Sequence, residues 1–188
     1  MTTCKQFKTF LFVSVLLTAS STLHAQLEVT HLILKGQSAT GFGAFIHGGF
    51  PVSKGDEIGV EGGIDYFAPD QSHLIFVPLL VSYRYTFNRT GTGFYAEPLA
   101  GYTIGTTDIQ ATDKNGNPLY NSDGSEIDEK YNGATAGLGF GYIIRSARWP
   151  VNFGLRYEHV FVSGTAPSLL AFRVSWSVLT GRRLQGQQ

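Results

Sequence analysis

The sequence predicts an all-β chain: an eight-stranded antiparallel up-and-down transmembrane β-barrel. Three observations predict it. Apolar and polar residues alternate with a period of two through almost the whole chain beyond residue 25. The connections between the alternating segments are short, with one long exception. Charged residues make up only 15% of the 188 residues, against roughly a quarter in an ordinary soluble domain, while aromatic residues reach 13%.

Residues 1–25 stand apart from this pattern. Lys5 and Lys8 form a basic start, residues 10–17 form a short apolar run, and a small, polar stretch ends on Leu23-His24-Ala25. This is the three-part layout of a secretory signal peptide, with cleavage expected after Ala25 and a barrel domain over residues 26–188. The apolar run is too short to span a bilayer as a helix. Cys4 precedes that run, so it is not placed as a lipoprotein cysteine. It is also the only cysteine, so the processed chain would carry no disulfide, thiolate nucleophile or cysteine metal site. Loss of Lys5 and Lys8 leaves 12 basic against 14 acidic residues. Such a balance does not suit a nucleic-acid binder.

The strands follow in order. A first segment runs from Leu27 to Leu34 and a second from Phe42 to Phe50. In the third, Ile58, Val60, Ile64 and Tyr66 oppose Gly59, Glu61, Gly63 and Asp65. The fourth sets Val77, Leu79, Val81, Tyr83, Tyr85 and Phe87 against Ser82, Arg84 and Thr86. The fifth spans Phe94 to Ile104. In the sixth, Ala136, Leu138, Phe140, Tyr142 and Ile144 oppose Thr135, Gly137, Gly139, Gly141 and Arg145. The seventh places Val151, Phe153, Leu155, Tyr157 and Phe161 against Asn152, Gly154, Arg156 and Glu158. In the eighth, Leu170, Phe172, Val174, Trp176 and Val178 face away from Ala171, Arg173, Ser175 and Ser177. No segment reads as a helix. The turns at 51–56, 88–93 and 146–150 lie at one end, with Gly, Pro or Asn at the bends. Connections at 35–39, 68–72 and 164–168 share the other end with the long stretch 107–130.

A soluble barrel binding an apolar ligand would show the same alternation, and it is the alternative reading. It needs Lys and Glu spread over its exterior, and as a lipocalin it would usually carry Gly-x-Trp near its N-terminus. Here the polar face carries Glu61, Asp65, Arg84, Glu97, Arg156, Glu158 and Arg173 among Gly, Ser, Thr and Asn. Three arginines nearly balanced by four acids suit an enclosed lumen in which opposite charges must pair. Glycine suits the narrow interior of eight strands. The opposite face is aliphatic between two sets of aromatics. Phe50, Tyr85, Phe87, Phe94, Tyr142, Trp149 and Trp176 lie by the short turns; Phe42, Tyr66, Tyr102, Tyr131 and Phe161 lie by the opposite loops. Two aromatic bands flanking an apolar belt are expected at the two faces of a bilayer, which makes outer-membrane lipid the expected partner of this surface.

Gly41-Phe-Gly-Ala-Phe45, Val77-Pro-Leu-Leu-Val-Ser-Tyr-Arg-Tyr85 and Tyr95-Ala-Glu-Pro-Leu-Ala-Gly-Tyr102 resemble segments of the small bacterial outer-membrane β-barrel family of OmpA/OmpX type. The resemblance covers essentially all of the chain after residue 25. It implies both termini in the periplasm, the 107–130 loop outside the cell, and a last strand read by the barrel-insertion machinery. The family usually ends on an aromatic residue. Here the strand from Phe172 to Leu179 is followed by a short tail, 180–188, so Trp176 or Leu179 would serve as an internal version of that signal.

The sequence offers three candidate chemistries. The lumen charges could line an ion path, but a mutually paired plug is the favoured reading. Some outer-membrane barrels deacylate lipid A with a His-x-Ser pair; here Glu158, His159 and Ser163 come nearest, yet four strand residues separate His159 from Ser163 by about 13 Å. That spacing denies a nucleophile its base, so no catalytic residue is assigned and no cofactor is implied. The 107–130 loop carries Asp108, Asp113, Asp123, Glu126, Asp128 and Glu129 against Lys114 and Lys130, a net −4. Asp113, Asn115, Asn117 and Asp123 are loose calcium candidates only, because an EF-hand needs glycine at position six and glutamate at twelve. Gly116 stands at position four and Gly124 at twelve. Residues 114–117 read as a hairpin turn, and the loop as a whole as a solvated surface for an extracellular partner. Asn88-Arg-Thr90 matches a glycosylation sequon, coincidentally in a periplasmic turn.

Overall fold

The computed structural model describes residues 22–34, 37–68, 73–110, 117–121, 123–125, 128–144, 150–162 and 166–180. Nine strands form within them: β1 (Thr22–Leu34), β2 (Gln37–Ser53), β3 (Asp56–Phe67), β4 (Leu74–Thr86), β5 (Gly93–Gln110), β6 (Asp128–Lys130), β7 (Gly133–Ile144), β8 (Val151–Phe161) and β9 (Ser168–Thr180). Eight of them close a barrel. Each pairs antiparallel with its neighbour in the chain, β5 with β7 across the long loop, and β9 returns to β1. Closure removes the sheet edges that would otherwise template association. Short β6 pairs only with the end of β5, through Thr106 with Lys130 and Gln110 with Asp128. Among the described residues no helix is long and apolar enough to cross a membrane.

The eight predicted segments are the eight barrel strands, and most run longer than the alternation implies. Side chains must alternate in polarity only where lipid lies on one side and lumen on the other. Beyond that belt the backbone ladder continues through residues such as Ser38, Thr40, Thr106 and Thr107, which carry no parity signal. The long connection shortens accordingly, with β5 and β6 extending its base. The β2–β3 turn is tight, and Gly55 takes φ +90° there, which a side chain would strain. The β4–β5 turn is tied by Arg89 N–H donating to Thr86 O (3.0 Å) and Phe87 N–H to Phe94 O (3.1 Å). Pairing also extends N-terminally: Thr22 to Ala25 lie opposite Gly49 to Ile46 of β2.

The exterior is apolar. Phe42, Phe94, Phe87 and Leu155 are each more than half exposed, and Val29, Ile64, Val77, Val81, Leu138, Phe140 and Phe172 join them around the wall. Phe94 and Tyr142 pack edge to face at 4.8 Å by the turn end, as do Tyr85 and Phe87 at 5.5 Å. Phe42, Tyr66, Tyr102 and Phe161 lie outward by the loops. Tyr131 departs from the predicted outer band. It occupies the break between β6 and β7, turns into the barrel mouth and packs on Phe76 with ring centroids 6.1 Å apart. Trp149 falls outside the described residues.

The interior has two tiers. Toward the loops it is apolar, built from Leu32, Leu34, Phe67, Leu74, Phe76, Tyr131, Val160 and Leu169. Below that it is charged.

Candidate functional site

All seven charged residues predicted for the polar face are buried inside the barrel. Arg156 on β8 sits at one focus. It pairs with Glu28 on β1 (Nη2–Oε2, 3.0 Å), with Glu61 on β3, and with its strand neighbour Glu158 (Nε–Oε1, 2.7 Å). Arg173 on β9 meets Glu61 (3.4 Å) and Glu97 on β5, and donates to Gln26 Oε1 (3.3 Å) and to the Tyr95 hydroxyl (3.4 Å). Arg84 on β4 joins Glu97 (3.2 Å) to Glu57 on β3 (3.4 Å). His47 on β2 lies 3.1 Å from Glu57 and 3.6 Å from Glu61. Asp65 accepts from the Thr30 hydroxyl at 3.1 Å. Arg84 also lies over the Tyr95 ring, and Arg156 over Phe45, each 5.0 Å from the centroid.

The polar face therefore holds more than the seven residues expected. Glu28, Glu57 and His47 are part of the same network, with Gln26 and Tyr95 as neutral partners. Every barrel strand but β7 contributes a side chain, and β7 contributes room. Its inward positions include Gly137, Gly139 and Gly141, and a Cβ on Gly141 would collide with the Tyr95 ring and hydroxyl. Parity in the first segment places Glu28 with Gln26 and Thr30, opposite Leu27 and Val29, and was the available signal for it. His47 had none, because Ala44, Phe45 and Ile46 precede it in an unbroken apolar run.

Chemically, this arrangement fills space and sets each guanidinium between carboxylates. The void bounded by Glu28, Thr30, Asp65, Arg156, Glu158, Leu169 and Ala171 leaves no room for a water molecule. Toward the loops the Phe67–Phe76–Tyr131 stack covers it.

The polar groups on the outer wall near the loops form a second arrangement. His31 pairs with Thr40 (3.2 Å), His73 with the Tyr66 hydroxyl (2.7 Å), and His159 Nδ1 with Ser168 Oγ (2.9 Å), which also accepts from the Tyr157 hydroxyl (3.2 Å). Ser163 lies outside the described residues; the serine beside His159 across the strand pair is Ser168, which linear spacing does not point to. The neighbouring carboxylate, Glu158, points the other way and is bound to Arg156 in the lumen. It cannot orient this imidazole.

Of the calcium candidates, Asp113 and Asn115 lie outside the described residues; Asn117 and Asp123 are exposed. Asp123 Oδ1 accepts from Ser125 Oγ (2.7 Å) and Ser125 N–H (3.0 Å), bonds that hold its carboxyl below the ordinary aspartate range. This oxygen closes a turn rather than facing an open cage. Among the described residues no three His, Cys, Asp or Glu side chains are grouped to hold a metal ion.

A closed eight-stranded wall, apolar outside and ion-paired inside, defines a membrane β-barrel. Comparison with solved structures gives the same class. The chain is similar to Neisserial surface protein A, with TM-score 0.56 and 15% identity over 81% of this chain and 94% of that one. It is equally similar in fold to Ail, the attachment invasion locus protein of Yersinia pestis, with TM-score 0.56 and 8% identity over 83% and 96%. The Ail complex with the heparin analogue sucrose octasulfate superposes at TM-score 0.53, with 9% identity over 83% and 96%. At such identities the likeness is one of fold, that of the small outer-membrane barrels. Neither a family model nor a curated protein sequence matches the chain.

Proposed function

We propose that the chain is an outer-membrane barrel, exported through a cleaved leader, with both termini periplasmic and a sealed, non-catalytic interior, that presents its 107–130 loop to a partner outside the cell. The inversion of polarity carries this reading: large aliphatic and aromatic side chains cover the outside while three guanidiniums and their carboxylates fill the inside. A water-soluble barrel requires the reverse. The C-terminal strand, with Trp176 and Leu179, is the segment offered to the insertion machinery. The net −4 of the loop favours a partner bearing positive charge. It has the wrong sign for a sulfated ligand such as the one held by Ail.

The test is refolding of the processed chain into phospholipid vesicles. Boiled and unboiled samples should migrate differently on a denaturing gel, and the vesicles should retain an ion gradient. Identical mobility with detergent-free solubility would return the soluble, apolar-ligand barrel. Large, long-lived channels would contradict the sealed lumen.

The absence of catalysis has its own check. Replacing His159 by Ala removes the imidazole beside Ser168 and should leave the acyl-chain composition of lipid A in expressing cells unchanged. A clear shift in that composition would make the outer-wall pair an active site.

A further inference from the structure

We infer that the leader is removed between Ser21 and Thr22, so that the exported chain begins four residues earlier than the Leu23-His24-Ala25 stretch suggests; this rests on the export reading above. Thr22 to Ala25 are built into the wall on both sides. On β2 they lie opposite Gly49 to Ile46, and on β9 the pairs are Thr22 with Thr180, Leu23 with Leu179, His24 with Ser177 and Ala25 with Trp176. A chain starting at Gln26 would leave these stretches of β2 and β9 facing a gap. Backbone groups beside exposed Ile46 and half-buried Trp176, at the turn-end rim of the wall, would lose their cross-strand partners.

The side chains are also placed. The Thr22 hydroxyl donates to Glu57 Oε2 (3.0 Å) and lies 3.3 Å from the Gly49 carbonyl, while His24 packs edge-on against His47 at 5.9 Å. Both therefore complete the turn end of the lumen network, next to the Glu57–His47 pair. The sequence offers a processing site at that boundary. Signal peptidase sites have small residues at the last position and two before it. Ser21 and Ala19 satisfy both positions for cleavage before Thr22, whereas cleavage after Ala25 would put the bulky Leu23 at the second.

The experiment is intact mass and N-terminal sequencing of the full-length gene product purified from the membrane fraction of expressing bacteria. Thr22 as the first residue is expected. Gln26 as the first residue would overturn the boundary and leave export intact; Met1 would overturn the export reading itself. A companion protein joins the leader directly to Gln26, deleting residues 22–25. It should show a lower urea midpoint and a smaller heat-modifiable fraction than the natural chain. Equal values for the two would remove the structural ground for the inference.

Discussion

Replacing Arg156 with Met is expected to lower the unfolding free energy of the barrel by about 3–5 kcal/mol, the cost of breaking a buried ion pair by removing one partner. Arg156 is the contact shared by Glu28, Glu61 and Glu158, all buried. The lumen is already rich in acid: Glu28, Glu57, Glu61, Asp65, Glu97 and Glu158 face Arg84, Arg156 and Arg173 among the described residues. Loss of one guanidinium strands carboxylates that water cannot reach. Met fills similar volume, so the loss measured is electrostatic rather than a cavity. Urea unfolding of the folded barrel in vesicles reads it directly. A change below about 1 kcal/mol, the range of an exposed pair, would mean that the lumen is wet and the plug is not one.

The second large effect belongs to the opposite face. Leu155 lies midway along β8, between Phe140 on β7 and Phe172 on β9, and is 57% exposed. Leu155→Arg should destabilise the barrel in a bilayer by about 2–4 kcal/mol, the penalty of an arginine at the midplane of a lipid-facing strand. On a soluble barrel the same exposed position would tolerate arginine within about 0.5 kcal/mol. Denaturant titration in vesicles of the variant beside the parent separates the two. The Arg156 and Leu155 substitutions are a matched pair, since one removes a charge from the inside and the other adds one to the outside. Both should weaken the same molecule.

How far the sequence foretold this arrangement depends on depth in the barrel. In β9 each outward residue from Leu170 to Val178 is apolar and each inward one from Arg173 to Ser177 is polar, so faces and strand could be read together. Nearer the loops the correspondence fails. In β1, Leu27 and Val29 point outward, yet two residues further His31 is outward and Leu32 and Leu34 are inward. The lumen changes there from charged to apolar, so hydrophobicity stops reporting direction. Tyr131 was misplaced for this reason, and Phe76 and Leu74 gave no warning of the inner apolar tier. The charge network was visible as a set of residue types but not as a set of pairs. Arg156 and Glu61 are 95 positions apart, and only closure of the wall brings them together. Cross-strand register likewise brings His159 to Ser168, a partner nine positions away that strand spacing alone does not suggest.

The seam between β1 and β9 also governs timing. Gln26 and Arg173 touch across this seam from positions 147 apart, and the ladder beside them can form only when β9 has arrived. Contacts of such long range place a topology among the slow folders. Until β9 is delivered, β1 and β8 keep open hydrogen-bonding edges, the exposure that makes unfinished β-sheets aggregate. A chain truncated before residue 168 would not be a slightly weaker barrel but a permanently unfinished one. Assembly is therefore held open until β9 arrives, and that one strand decides whether anything forms at all.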